Sequence, residues 1–447
     1  MLGTTNRDMP TKAHWINLSI TLFVVLLLCG AVYVGSTMFN QRLEGFETAV
    51  GAYRSSSGYK KQIKLVAGLA DSRSNGRRDV TDMLASDVAP PAPEQCLVNF
   101  YTLGCRFTGY LGPFDQGYYD VYPAVTNALR MGCRTFVYEI DYLDDCVGTG
   151  EATEYFPRLV VRDTNQRLRG LKDSMLPFCS SIATSDIQAA SKALRDVAFS
   201  SMVANPNDPL IVVLFLQRLP PKERTSNTRF LTYLSNIAKG LQPLLDRAID
   251  NIGTGGTFSR QQQEGLLLTN NITDYQGRVL FFCNTDTSAF RSATPAYTPS
   301  EDLDYIVNLQ LSYKQQQLGC TSRTGGSFGL LETVDGYKQL PPEQVDPMCE
   351  ETKLRWTMCL SSDPQTPVDA KSYEDVANGI GVQCIPIQLW DNKNAFMFDT
   401  TTFKTWSFIP KPKELRFRRP PIAVPAEQSP VADAKGGALR MPTVGGS

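Results

Sequence analysis

Ala128-Leu129-Arg130-Met131-Gly132-Cys133-Arg134 leads into Thr135-Phe136-Val137-Tyr138-Glu139-Ile140-Asp141, and this passage decides the fold. The run Thr135–Ile140 is apolar on both faces, as a parallel strand covered by helices must be, and two carboxylates sit at its end. Working outward, comparable runs occur at Leu97–Leu103, Leu159–Arg162, Leu210–Leu216, Val279–Cys283, Tyr305–Leu309 and Val382–Leu389. Helical patterns lie between them. From Thr228 to Ile252, Phe230, Leu234, Ile237, Leu241, Leu244, Ala248 and Ile252 recur at three- and four-residue steps and predict one buried stripe. A second helix is expected from Ser185 as N-cap, with Ile187, Leu194, Val197 and Met202 turned inward. This rhythm predicts an α/β fold, either a (β/α)8 TIM-type barrel or an open doubly wound sheet. No GxGxxG follows any of these strands, so the barrel is the expectation.

The flanks divide the 447 residues further. Residues 1–14 form a short N-terminal segment. Trp15–Phe39 is apolar, with no Asp, Glu, Lys or Arg between Lys12 and Arg42, and predicts a single transmembrane helix. Arg7 and Lys12 on one side balance Arg42 and Arg54 on the other, so charge does not set its orientation. Residues 40–95 are polar and rich in small residues and read as a stalk; 96–415 hold the barrel. Within the barrel, 320–372 read as an insertion between late strands, and 416–447 as a Pro/Ala/Gly-rich tail. Ten cysteines follow the apolar segment, and an Asn271-Ile272-Thr273 sequon is present. Both suit an oxidising compartment, so the body is expected on the lumenal, extracellular or virion side. Gly253-Thr254-Gly255-Gly256 lacks the GK[ST] ending of a phosphate loop and reads as a turn after a helix.

His14 is the single histidine, and it precedes the apolar segment. The body therefore has no imidazole for Ser-His-Asp, Cys-His or histidine acid/base catalysis. Lys and Arg (44) nearly match Asp and Glu (45), which gives no electrostatic case for nucleic acid.

The opening passage, 128–134 followed by 138–141, resembles the helix-to-strand passage of the phosphoinositide-specific phospholipase C family. Pro157–Arg162, Arg195–Phe199 with Pro209–Leu214, Gly381–Gln388 and Phe408–Pro412 resemble later motifs of that family in the same order. The resemblance spans about residues 96–415 and implies a phospholipase C-like TIM barrel. It also implies where catalysis should sit, and there the sequence departs. Phe107 and Thr108 occupy the positions of the first catalytic histidine and a calcium-binding asparagine. Arg162, followed by Asp163, occupies the second histidine position. The last calcium-binding glutamate falls on Phe215 or Leu216, so only Glu139 and Asp141 match the family's calcium ligands.

Two readings follow. One is a non-enzymatic, degenerate member in which Glu139, Asp141 and Arg162 form an ion-paired cluster, with no cofactor and no metal. Such a protein would be held in a lipid bilayer through 15–39 beside other membrane or structural proteins, and its design suits a structural protein of a large DNA virus. The other is a phosphoric diester hydrolase with substituted groups, in which Asp163 and Glu139 share acid/base work, Arg162 clamps a phosphate, and calcium would bind Glu139 and Asp141. Lys411, Lys413, Arg416, Arg418 and Arg419 form a basic run that reads equally as a contact for anionic lipid or an acidic partner, or as a solvated strand exit.

Overall fold

The computed structural model describes residues 20–21, 23–25, 27–28, 54–114, 117–143, 154–162, 182–221, 223, 226–250, 256–313, 328–399 and 402–419. Its centre is a curled parallel sheet of TIM-like form. The strands are β1 (Gly104–Arg106), β2 (Thr135–Asp141), β3 (Leu210–Leu216), β4 (Val279–Cys283), β5 (Leu309–Tyr313), β6 (Phe328–Thr333), β7 (Thr357–Leu360) and β8 (Ile387–Gln388). From β1 to β7 each strand pairs in parallel with the next, and β8 pairs in parallel with β1. Cys384, just before β8, makes parallel bridges to Met358 of β7 and to Thr102, so the two edges of the sheet meet there. β2 is buried along its whole length, and β3 at every position but Phe215. That double burial is why alternation is missing from their sequences.

The deciding passage works as a hinge between layers. Helix α2 (Val121–Arg130) ends at Met131, and Gly132 takes φ +94°, which turns the chain into β2. A side chain at Gly132 would collide with the Arg77 guanidinium, 1.9 Å from an ideal Cβ, so close approach as well as φ requires glycine. Gly104 is similarly confined: a Cβ there would lie 2.7 Å from Cys384 Sγ, at the seam of the barrel.

Several expectations are corrected. The run 97–103 is split into a 3-10 turn, Leu97–Asn99, and a strand, Phe100–Thr102, which pairs antiparallel with Phe408–Pro410 outside the barrel; β1 follows at 104–106. Tyr305–Leu309 is divided between a short helix, Leu303–Ile306, capped by Asp302, and the start of β5. Of Leu159–Arg162, only Arg158–Leu159 forms a strand, antiparallel to Ile140–Asp141. Residues 320–372 are not an excursion: β6 and β7 lie within them. The stripe from Thr228 ends its α-helix, α4, at Leu241, where Gln242–Leu244 tighten to 3-10 around Pro243. Helix α3 (Ile182–Ala198) begins before Ser185, and Met202 is exposed beyond its end.

The 40–95 segment also differs from a stalk where it is described. Helix α1 (Ser57–Ser74) packs on α2 with Tyr59, Val66 and Ala70 buried, and the Tyr59 hydroxyl donates to Asp120 at 2.6 Å. Val80 N–H donates to Asp208, also at 2.6 Å. Of the apolar segment 15–39, residues 20, 21, 23–25, 27 and 28 are described. All are helical and exposed, and the rest lies outside the described residues. Among the described residues no helix is long and apolar enough to cross a membrane. The tail from 420 and Gly253–Gly255 lie outside them too, while Gly256 precedes a helix at Thr257–Gln263. Cys96, Cys105, Cys133, Cys349, Cys359 and Cys384 are free thiols, so paired cysteines do not explain the even count where it can be examined; Cys146, Cys179 and Cys320 lie outside the described residues. Asn271 is half-buried and turns its carboxamide oxygen to Thr273 N–H at 3.1 Å.

Candidate functional site

Parallel strands all end on one face, so residues spread over the chain converge at the barrel mouth. A cavity of about 270 Å³ opens there, lined by Arg106 from β1, Glu139 from β2, Gln217 after β3, Glu332 and Thr333 from β6, and Arg162, among others. Arg162 arrives differently from the rest. The short antiparallel strand Arg158–Leu159 folds back along the end of β2, and this sets Arg162 against Asp141.

The charges are arranged in pairs. Arg162 Nε donates to Asp141 Oδ2, and its Nη2 donates to the Tyr142 carbonyl at 3.1 Å. Arg218 Nε donates to both oxygens of the same carboxylate, at 3.0 and 2.9 Å, and Tyr142 N–H donates to Oδ1 at 2.7 Å. Asp141 is thus fully buried under two guanidinium groups. Glu139 has a separate partner. Arg106 Nε donates to its Oε1 at 2.8 Å and Gln217 Nε2 to its Oε2 at 2.9 Å. Burial raises the Glu139 pKa above the ordinary carboxylate range, and the Arg106 charge and hydrogen bond oppose that rise only in part.

Phe107 is buried, and at φ +56° it is the one non-glycine with positive φ among the described residues. Its ring stacks on Trp390 with centroids 5.9 Å apart and meets Phe114 edge-on at 6.1 Å. The Arg106 guanidinium lies over the ring, 4.4 Å from its centroid, a cation–π contact. Thr108 is buried and spends its hydroxyl on the Val137 carbonyl at 2.8 Å. Neither residue lines the cavity. Asp163 lies outside the described residues.

The structure therefore brings Glu139, Asp141 and Arg162 together at the mouth in two sets of ion pairs, Asp141 with Arg162 and Arg218 and Glu139 with Arg106, and sequence reasoning missed Arg106 and Arg218. Arg106 directly precedes the Phe107 position and Arg218 follows β3 by two residues. Both stand at the C-terminal ends of strands, which was the available signal. Calcium does not fit this donor set. The four carboxylate oxygens of Glu139 and Asp141 already accept from guanidinium, carboxamide or backbone donors, and calcium needs six to eight oxygen ligands. Among the described residues no group of three or more His, Cys, Asp or Glu could hold a metal ion.

The basic run is bound into the body only in part. Lys411 is fully buried, with Nζ donating to the Thr352 carbonyl at 2.7 Å, and burial pushes its pKa well below the ordinary lysine value. Arg416 and Arg418 both pair with Glu94 at 3.3 Å, and Arg419 donates to the Thr269 carbonyl at 2.7 Å. Lys413, Arg418 and Arg419 remain exposed, so part of the run is bound into the body and part faces outward.

No family model matches the chain, and no curated protein matches it either. Solved structures do. L. pealei PLC21 is 12% identical, with 74% of this chain and 39% of that chain covered and a TM-score of 0.45. S. officinalis PLC21 is 13% identical, covering 74% and 40%, also with a TM-score of 0.45. A calcium-dependent phosphoinositol-specific phospholipase C from Pseudomonas sp. is 14% identical, covering 51% and 80%, with a TM-score of 0.29. The neighbours are phospholipases C. The chain spans about two fifths of the length of the two PLC21 proteins. With every TM-score below 0.5, the fold rests on the strand order and register described above.

Proposed function

We propose that the protein is a membrane-tethered, phospholipase C-like barrel that works by binding rather than by catalysis. The observation that carries this reading is the state of the mouth. Phe107, in the position where the resemblance places a proton-transferring histidine, is packed against Trp390 and the Arg106 guanidinium and lies outside the cavity. It offers neither a proton nor a hydrogen bond. Arg162, at the second position, offers only guanidinium donors and is committed to Asp141, so it cannot serve as a base. Losing a positioned acid or base removes about 10²–10⁴-fold in rate for each group. The tether is residues 15–39, whose uncharged length matches a bilayer span, and the finer role is that of a structural or binding protein at that membrane.

One observation favours a second reading, a phosphodiesterase with substituted groups. Glu139 lines the cavity and burial raises its pKa, so it can hold a proton nearer neutral pH than an exposed carboxyl can. Incubation of the purified protein with phosphatidylinositol and its phosphates, with and without calcium, separates the two. The binding reading expects no inositol phosphate release above background. Turnover that Glu139→Gln abolishes would replace it with the enzymatic one.

A further inference from the structure

Four ionisable residues line the mouth cavity, and internal pairing leaves two of them unfinished. Glu139 is satisfied by Arg106 and Gln217, and Arg162 is committed to Asp141 and the Tyr142 carbonyl. Arg106 uses Nε on Glu139, but its Nη1 is buried and has no hydrogen-bond partner among the described residues, on a side chain only 5% exposed. The same guanidinium also borders a void of about 10 Å³, room for one water at most, so the 270 Å³ cavity is the space that can seat a partner. Glu332 faces the cavity from β6. Its Oε1 accepts from Thr333 N–H at 2.8 Å, and among the described residues no cation pairs with it. β6 is separated from β1 by β7 and β8, so the two unfinished charges come from different sides of the mouth.

We infer that this cavity binds a small zwitterion, with its phosphate or carboxylate on Arg106 and its ammonium on Glu332. The inference rests on the binding reading and deepens it. A pure anion would satisfy Arg106 and meet repulsion from Glu332; a pure cation would do the reverse. Only a ligand with both signs completes both groups. The walls between them suit a short apolar link with polar ends: Phe215, Leu331 and Leu360 alternate with Gln217, Thr333 and Ser362. The volume falls just below the roughly 300–1,000 Å³ of drug-sized pockets, which selects a ligand of headgroup size. An aminoalcohol phosphate has this chemistry, either as a soluble metabolite or as the headgroup of a lipid.

Calorimetric titration of the purified full chain with O-phosphoethanolamine, ethanolamine, inorganic phosphate and calcium tests the inference. O-phosphoethanolamine is expected to bind at least tenfold more tightly than ethanolamine or phosphate alone. Glu332→Gln, which keeps the acceptor for Thr333 N–H, should weaken the zwitterion at least tenfold while leaving phosphate binding equal or stronger. Arg106→Lys should weaken both, with circular dichroism confirming the fold. Flotation with phosphatidylethanolamine vesicles, compared with phosphatidylcholine and using the Glu332→Gln chain as control, distinguishes a lipid headgroup from a free ligand. Phosphate binding as tightly as the zwitterion, calcium binding that Glu332→Gln removes, or no heat from any ligand would overturn the inference. The last result would leave the non-catalytic reading standing, since that falls only to phosphodiester turnover.

Discussion

Replacing Asp141 by Asn keeps the shape of the mouth and removes one charge, and the structure fixes what should follow. Asp141 is fully buried and compensates two guanidinium groups: Arg162, with a side chain 2% exposed, and Arg218, 30% exposed. Arg218 can turn towards water, but Arg162 cannot. Removing one partner of a buried pair typically costs about 3–5 kcal/mol, because the remaining charge is stranded in low dielectric. A carboxamide also brings two N–H donors to a site where Arg162, Arg218 and Tyr142 N–H already donate. We therefore expect Asp141→Asn to lose about 3–5 kcal/mol in urea unfolding, with the slope unchanged. A second variant separates stranded charge from lost packing: adding Arg162→Met should recover more than half of the loss, since apolar replacement of a whole buried pair is often near neutral. The measurement bears on function as well. Residues kept for catalysis usually cost stability, so removing them is neutral or stabilising. A loss below about 1 kcal/mol, or a double variant no better than the single, would refute the structural role assigned to these charges.

Asp208 gives a pH signature: burial raises its pKa to about 6, from about 3.9 in the unfolded chain, so between those values the folded state keeps a proton that the unfolded state has released. Stability from this group therefore falls as pH rises through that window, and the difference between wild type and Asp208→Asn in urea unfolding should move by about 2 kcal/mol from pH 4.5 to 7.5 in favour of the variant. Phe107→Gly relaxes a left-handed backbone worth about 1–2 kcal/mol but loses the ring against Trp390 and Phe114, so a net loss of about 2–4 kcal/mol is expected by thermal unfolding. Lys411→Met should stabilise the protein near pH 6. The folded pKa of Lys411 is lowered, so the unfolded state binds more protons as pH rises, wild type gains, and the advantage of Met should shrink towards pH 10; an advantage that grows with pH would be the wrong sign.

The strands that could be read from sequence were those buried on both faces. β2, β3 and β4 are continuous apolar runs, and their limits agree with the expected ones to within a residue. β6 and β7 were missed for a physical reason. Phe328–Thr333 carries Gly329 and Glu332 at inward-facing or functional positions, and Thr357–Leu360 is four residues long, so neither makes a run. Gly329 is needed there: a Cβ would lie 2.5 Å from the Trp356 carbonyl. The site was half legible. Glu139, Asp141 and Arg162 could be named because the resemblance to the phospholipase C family points to those positions, and an ion-paired cluster of the three was expected, but the part played by Arg106 and Arg218 was not. Which arginine meets which carboxylate depends on the antiparallel return at 158–159 and on the register Glu139↔Phe215, both set by tertiary packing. The run 411–419 was open in the sequence between a contact surface and a strand exit, and the structure buries Lys411 and pairs Arg416 and Arg418 with Glu94 beyond the strand Phe408–Pro410.

The same pairing explains why an ionic mouth without imidazole can persist. Around β1, β2 and β3, three guanidinium groups (Arg106, Arg162 and Arg218) face two carboxylates, Glu139 and Asp141, which leaves one positive charge in excess. On β6, Glu332 carries one negative charge that no cation pairs with among the described residues. The mouth is close to neutral as a whole but polarised across its width, and a cavity with low-dielectric walls strengthens such a field. A phosphodiester in that field would meet attraction from Arg106 on one side and repulsion from Glu332 on the other. A ligand with its own dipole would be held in one orientation. Orienting a polar ligand in this way is the property that the proposed binding role requires.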